Sequence, residues 1–257
     1  MVGLPDFLTH DAGEVYASVT DQGIIGYLSD EQLDGEGFGL QGEGSTLFVG
    51  SLWAGNLATY LCNRDYGGNG AETYEWVTRR EPNGRMHDLG AAGSDQTFAS
   101  AFTDSGHASP ANVLVEQTSY AWANERFVIL EYHLTNRGSR QLDPYWGGVF
   151  CDWDVDDSAA NVGASDAGNR AIYMHPAAGG PYVGLALLGD APQANLTFVH
   201  NPTYVYPNAY IDNTSKLRFL RGIISVPTAV NADDWSMVCS AGPFAFVPGA
   251  EFTMAYA

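Results

Sequence analysis

Two long strand-like runs joined by only three residues place the strongest constraint on the fold. They cover residues 113–122 and 126–135, and Ala123-Asn124-Glu125 connects them. In the second run the apolar residues occupy every other position, and they are Val128, Leu130, Tyr132 and Leu134. Successive side chains of a strand point to opposite faces, so one face of this run can be buried. The short link permits only a hairpin, and another apolar run at 145–150 continues the pattern as an antiparallel meander.

Further β-prone runs are separated by turn residues along the whole chain, which contains 30 Gly and 12 Pro in 257 residues. The count comes to roughly fourteen strands, more than an immunoglobulin-size sandwich uses. We therefore predict a single all-β domain over residues 1–257, built as a large two-sheet antiparallel sandwich. The additional predicted strands cover residues 14–19, 23–28, 46–53, 56–61, 72–79, 171–174, 182–188, 196–200, 217–226, 235–239 and 251–256. Since the last run has the pattern of a strand interior, we expect a fragment of a longer protein.

The charge balance excludes several classes of partner. The formal net charge is −19, and Lys216 is the only lysine among 11 basic residues. Such a chain is repelled by nucleic acid and by anionic membranes, so neither is an expected partner. No apolar run of about 18 residues is present, so no membrane span is expected. Cys62, Cys151 and Cys239 are far apart in sequence, which permits at most one disulfide and no Cys-x-x-Cys metal site.

Carboxylates alternate with apolar residues in Cys151-Asp-Trp-Asp-Val-Asp-Asp157. In a strand, Asp152, Asp154 and Asp156 would share one face, while Trp153 and Val155 would face inwards. The mutual repulsion of these carboxylates predicts a bound calcium ion, with ligands drawn from Asp152, Asp154, Asp156, Asp157, Asn161, Asp166 and Asn169. The loop is not an EF-hand, because the sixth position is occupied by Asp157 rather than glycine. The alternative is a sheet edge protected by charge against aggregation.

Two other groups of residues are candidates for contact with a sugar. Tyr204, Tyr206 and Tyr210 lie among Pro and Asn residues, where exposed rings would stack on a glycan. Glu131 and His133, together with Asp152, would serve as acid and base if they met on a curved sheet face. The other interpretation is that Glu131 and His133 are surface residues on a polar strand face, as such residues are in most proteins.

Several short motifs resemble a β-rich module of large secreted bacterial multidomain proteins of the Bacteroidetes type. The motifs are Gln117-Thr-Ser-Tyr-Ala-Trp122, Phe127-Val-Ile-Leu-Glu-Tyr-His-Leu-Thr-Asn-Arg-Gly-Ser139 and Gly148-Val-Phe-Cys-Asp-Trp-Asp-Val155. This resemblance implies a supersandwich similar to that of galactose-mutarotase-like domains. It also implies an extracellular or cell-surface location and other domains of the same chain as partners. It supplies no catalytic residues.

The expected function is that of a non-catalytic extracellular module for adhesion or carbohydrate binding, with calcium-stabilised loops and a glycan as ligand. The alternative is a carbohydrate-active enzyme, of the glycoside hydrolase, lyase or epimerase-like type, that acts from a concave sheet face through Glu131, His133 and Asp152. A fold of this kind does not by itself decide between them.

Overall fold

The computed structural model describes residues 5–66, 73–80 and 83–257. The described residues form two antiparallel sheets packed face to face, which confirms the predicted all-β sandwich. Their nineteen strands are β1 Phe7–His10, β2 Val15–Thr20, β3 Ile24–Ile25, β4 Phe38–Leu40, β5 Leu47–Leu57, β6 Tyr60–Cys62, β7 Val77–Thr78, β8 His87–Gly90, β9 Gln96–Thr103, β10 Val113–Ala121, β11 Val128–Asn136, β12 Tyr145–Trp153, β13 Asn161–Asp166, β14 Ala171–Pro176, β15 Val183–Leu188, β16 Ala194–His200, β17 Thr228–Asp233, β18 Trp235–Phe244 and β19 Glu251–Tyr256.

Sheet 1 has the strand order β1-β2-β3-β5-β12-β18-β16, with β4 paired to β2 and β6 paired to β5. Sheet 2 has the order β17-β13-β14-β15-β19-β11-β10-β9-β7, with β8 paired to β9. The predicted hairpin is β10 and β11, whose register runs from the pair Val113 and Asn136 to the pair Ala121 and Val128. Strand β12 lies inside sheet 1, between β5 and β18. Its end carries the acidic run.

The main core fills the space between the sheets. The alternating face of β11 points into it, as predicted: Val128, Leu130, Tyr132 and Leu134 are all buried. Sheet 1 contributes Cys151 and Trp153 from β12 to the same core. The inward orientation predicted for Trp153 is therefore confirmed, and the side chains that alternate with it point to the opposite, outer face of sheet 1.

A second apolar cluster covers that outer face, and it is absent from the sequence-based prediction. Two helices cross the sheet there, α1 Asn201–Tyr204 and α2 Asn213–Leu220. Leu217, Phe219 and Leu220 of α2 pack on residues of sheet 1 that include Trp53 and Phe150. The segment after β16, which contains α1 and α2, thus covers part of the outer face of sheet 1.

The strand predicted over residues 217–226 is wrong, because its first residues belong to α2. Asp212 caps this helix: its Oδ1 accepts hydrogen bonds from the backbone N–H groups of Thr214 and Ser215, at 2.9 and 3.0 Å. An Asp at the N-cap is a recognised helix start signal, and here it outweighs the β-prone residues that follow. Leu217, Phe219 and Leu220 are buried against a sheet without forming a strand, whereas Ile223 is exposed.

Other differences concern boundaries. The runs predicted at 46–53 and 56–61 are largely one long strand, β5, with β6 after the turn. Strand β9 lies in the polar stretch for which only a strand at 72–79 was predicted, and residue 72 is outside the described residues.

All three cysteines are buried and free. Within the described ranges, no helix has both the length and the apolar character needed to span a membrane.

Candidate functional site: an acidic pocket on sheet 1

The acidic run ends strand β12 on the outer face of sheet 1. Asp152 is paired across the sheet with Ser236 of β18, and the Ser236 hydroxyl lies 2.8 Å from Asp152 Oδ1. The β12–β5 register shifts between Asp152 and Trp153. The chain leaves the strand directly afterwards, with Asp156 in a left-handed conformation at a φ of 57°. The alternation predicted from the sequence therefore holds for Asp152 and stops before Asp156.

One amide holds two carboxylates together. Nδ2 of the buried Asn201 lies 2.8 Å from Asp152 Oδ1 and 2.6 Å from Asp234 Oδ1, so its two hydrogens are donated to two carboxylates. Asn201 Oδ1 in turn lies 2.6 Å from the Ser236 hydroxyl. Asn201 follows β16, and Asp234 and Ser236 stand at the start of β18. Three neighbouring strand ends of sheet 1 thus position this group, which we call the acid cluster: Asp152, Asp154, Asn201, Asp234 and Ser236.

The carboxyl groups of the acid cluster hold protons more tightly than isolated carboxylates. Burial, with the nearby charges of Asp234 and Asp154, raises the pKa of Asp152 to about 7. Burial and the charge of Asp234 raise the pKa of Asp154 to about 6, and burial also raises the pKa of Asp234. Like charges in a partly desolvated site cannot all ionise together. Near neutral pH the cluster therefore offers both protonated and ionised carboxyl groups.

The acid cluster opens into a pocket of about 450 Å³. Phe150 and Val49 of sheet 1 contribute apolar wall, and the Phe150 ring stacks on Trp53 at 4.5 Å between centroids. Tyr206 and Tyr210 line the pocket from the segment between α1 and α2, and both side chains are exposed. The volume falls within the usual range for small-molecule sites.

Asp65 and Lys216 also line the pocket. Lys216 is 2% exposed, and its Nζ lies 2.5 Å from Asp65 Oδ2 and 2.7 Å from Asn63 Oδ1. The indole Nε1 of Trp53 donates to the Asp65 carboxylate at 2.8 Å, and the Ser51 hydroxyl donates to it as well. The only lysine of the chain is therefore neutralised by a buried partner. It does not balance the charge of the acid cluster.

The residues predicted to bind calcium do not converge. Asp152 and Asp154 line the pocket, whereas Asp157 caps a short 3-10 helix at Ser158–Ala160. Asn161 donates to the backbone oxygens of Asp157 and Ser158. Asp166 and Asn169 bond to each other at 2.6 Å in the turn after β13, at the far end of that strand. Calcium requires six to eight oxygen ligands. No group of three His, Cys, Asp or Glu side chains suited to a metal occurs in the described parts of the chain, and calcium binding stays a prediction.

The structure does not bring Glu131 and His133 to Asp152. Both lie on the outer face of sheet 2, because the residues that alternate with them in β11 fill the core. His133 is occupied there, with Nδ1 3.0 Å from the Thr253 hydroxyl and Nε2 3.4 Å from the Glu251 carboxylate. The whole sandwich separates them from the acid cluster, so they cannot act with Asp152 on one ligand.

The tyrosine segment divides into two roles. Tyr204 packs edge-on against Phe219 of α2, at 5.0 Å between ring centroids, and is half-buried. Tyr206 and Tyr210 remain available to a ligand.

Sequence reasoning missed Asn201, Asp234, Ser236 and the Asp65–Lys216 pair. One available signal was the isolation of Lys216, since a lone lysine in a chain this acidic already stands out.

Replacing Asn201 with aspartate tests the acid cluster as a unit. We expect a loss of about 3 kcal/mol in unfolding free energy at pH 8, because a donor to two carboxylates becomes a fourth carboxylate in the cluster. The folded-state pKa values exceed the unfolded value, so stability falls as pH rises from about 4 through about 7. The loss should therefore be smaller at pH 5. Urea unfolding at both pH values measures it, and the exposed Asn208→Asp controls for the added charge. An equal loss at both pH values would contradict the arrangement.

No family profile matches this chain, and no curated protein matches it significantly. A solved structure from Escherichia coli K12, provisionally assigned as an aldose 1-epimerase, is similar in fold with a TM-score of 0.54 at 13% sequence identity. The similarity covers 98% of this chain and 97% of that one. At this identity the likeness concerns the fold alone. It shows that the two-sheet sandwich of this chain shares the overall fold of that structure.

Proposed function

We propose that this chain binds a sugar in the acidic pocket and transfers protons at its anomeric centre, as in the interconversion of aldose anomers. The observation that carries the proposal is the acid cluster. Its carboxyl groups face a ligand-sized pocket, and Asp152 has a pKa of about 7. The aldose 1-epimerase assignment of the similar structure supports a sugar as substrate. The site differs from the one predicted from sequence, since it uses Asp234 and Asp154 in place of Glu131 and His133.

The chemistry requires one acid and one base. A carboxylate removes the proton from the hydroxyl on C1 of the sugar, and a protonated carboxyl donates a proton to the ring oxygen. The bond between C1 and the ring oxygen then breaks and leaves an open-chain aldehyde. Rotation about the C1–C2 bond and reversal of the two transfers close the ring with the other configuration. Coupled carboxyl groups that differ in protonation at pH 7 supply both partners.

The two exposed tyrosines fit the same substrate. Sugar rings present an apolar face of C–H groups, and aromatic rings in binding sites cover such faces. Tyr206 and Tyr210 belong to the segment that covers part of the outer face of sheet 1. They line the same pocket as the acid cluster, so either could pack on a sugar ring bound there. The pocket then combines apolar contact with hydrogen-bonding carboxyl groups, which is the usual composition of a small-molecule site.

The proposal is tested by polarimetry on freshly dissolved anomers of a panel of neutral aldoses, with binding measured by calorimetry. We expect faster mutarotation of at least one aldose than in buffer, with a pH profile governed by an ionisation near 7. Binding without acceleration would favour the non-catalytic alternative, a carbohydrate-binding or adhesion module. If no aldose of the panel is bound or accelerated, both the catalytic and the binding proposals are contradicted.

The tyrosine contact makes a separate prediction. Replacing Tyr210 with alanine should weaken sugar binding about 5- to 10-fold through the loss of one stacking surface, and Tyr206→Ala should have a comparable effect. The unfolding temperature should change little, because both rings are exposed. Calorimetric titration of each variant measures the effect. Tyr182→Ala, at another exposed tyrosine outside the pocket, is the matched control and should bind normally. Unchanged affinity in both pocket variants would exclude these rings from the site.

A purely binding function is the second candidate, and the exposure of Tyr206 and Tyr210 favours it as much as it favours catalysis. Adhesion, an extracellular location and calcium-stabilised loops belong to this second proposal. The acid cluster separates the two functions, because a binding module has no need of a group that titrates near pH 7 inside its pocket. Substitution of Asp152 therefore distinguishes them.

A further inference from the structure

A second cavity lies between the two sheets and is unrelated to the acid cluster. Its volume is about 530 Å³. It lies where β12 and β19 end and β11 begins, and it penetrates the main core. Apolar side chains from both sheets line it, among them Val15, Ala17, Val19, Val128, Leu130 and Leu185. All six are buried.

A space of this size is unusual inside a sandwich. Protein interiors are packed so closely that few voids exceed the size of a water molecule, and an empty apolar cavity costs stability in proportion to its volume. Water gains little in a cavity whose walls offer few polar partners. The walls therefore suit an apolar occupant.

One buried polar atom on the cavity wall has no partner. Trp153 lines the cavity and is 3% exposed, and its Nε1 makes no hydrogen bond within the described residues. Its indole packs edge-on against Phe38, which also lines the cavity, at 5.3 Å between centroids. A buried N–H group without an acceptor is costly. An occupant with one acceptor oxygen would satisfy it.

The mouth of the cavity argues against a charged occupant. Its exposed side chains include Phe127, Tyr182, Arg126 and Glu43. Arg126 forms an ion pair with Glu14, so its charge is already balanced, and the whole chain carries a net charge of −19. A carboxylate or phosphate headgroup would be repelled here. The two aromatic rings are compatible with an alkyl chain at the entrance.

We propose that this cavity binds an uncharged, elongated apolar molecule with a single acceptor oxygen, such as a medium- or long-chain alcohol or aldehyde. The oxygen accepts the hydrogen bond from Trp153 Nε1, and the chain lies between the sheets. This ligand site is independent of the sugar pocket, and either can exist without the other.

The experiment uses 1-aminoanthracene as an uncharged fluorescent reporter and measures its displacement at pH 8. We expect 1-dodecanol to displace the reporter at micromolar concentration and dodecanoate to be at least tenfold weaker. Quenching of tryptophan emission by 2-bromo-1-dodecanol, whose bromine lies beside the hydroxyl, locates the ligand, because Trp153 lines the cavity and the quenching should be lost in Trp153→Phe. Failure of dodecanol to displace the reporter, or equal competition by dodecanoate, would overturn the proposal.

Two variants sharpen the test. Trp153→Phe keeps an aromatic ring and removes the N–H donor, so dodecanol affinity should fall 5- to 10-fold while the reporter still binds. Trp146→Phe, the same substitution at a buried tryptophan on the outer face of sheet 1, should leave dodecanol affinity unchanged. Val183→Trp fills the cavity from its partly buried wall and should abolish binding of both compounds. If Trp153→Phe does not fold, Val183→Trp decides: retained binding would place the ligand elsewhere.

Discussion

Replacing Asp152 with asparagine is expected to lower the rate of sugar mutarotation at least about 100-fold, since general acid–base catalysis contributes 10²- to 10⁴-fold. The affinity for the sugar should stay within about threefold. An asparagine has nearly the shape of the aspartate, and its side-chain oxygen still accepts from Asn201 and Ser236. What it loses is the ability to gain and release a proton.

The pH dependence adds a second readout for the same variant. The ionisation near pH 7 in the wild-type rate should disappear in Asp152→Asn, because burial and neighbouring charge place the pKa of this carboxyl there. Asp190→Asn, an exposed carboxyl between β15 and β16, is the control and should keep the wild-type rate and profile. A rate within threefold of wild type in Asp152→Asn would remove Asp152 from the reaction and leave the pocket as a binding site.

The sequence predicts the part of this site that depends on local alternation. Asp152 points outward and Trp153 inward because β12 is a regular strand up to that point. Asp156 does not follow, because the chain turns into a left-handed conformation there. A period of two indicates a face only while the strand lasts, and nothing in the run of Asp residues marks its end. The predicted convergence of three carboxylates thus reduces to two.

The remaining members of the site depend on tertiary pairing. Asn201 and Asp234 meet Asp152 only because β16 and β18 lie beside β12 in sheet 1, an order that cannot be read from a single sequence. Glu131 and His133 do not meet Asp152, because strand order also decides which sheet a strand joins. Their outward face was predicted correctly, but β11 belongs to the other sheet. Of the predicted tyrosines, Tyr206 and Tyr210 line the pocket, and they lie just before α2, a helix in a region where the sequence predicted a strand.

Breaking the buried Asp65–Lys216 pair should produce the largest loss of stability. Lys216→Met leaves a buried carboxylate that keeps only the neutral donors Trp53 and Ser51, and removing one partner of such a pair costs about 3–5 kcal/mol. For a domain of this size that corresponds to a fall of about 10 °C in unfolding temperature. Calorimetry and urea unfolding measure the change.

The double variant Lys216→Met with Asp65→Asn should recover most of the loss, because the substitution removes the uncompensated charge and retains hydrogen-bonding atoms for Trp53 and Ser51. Arg126→Met is the matched control. It breaks the exposed ion pair with Glu14 and should cost less than about 1 kcal/mol. If Lys216→Met is as mild as Arg126→Met, the ammonium does not contribute to stability through its contacts with Asp65 and Asn63. A double variant no more stable than Lys216→Met would show that the packing of the Lys216 methylene groups, rather than its charge, stabilises this part of the pocket.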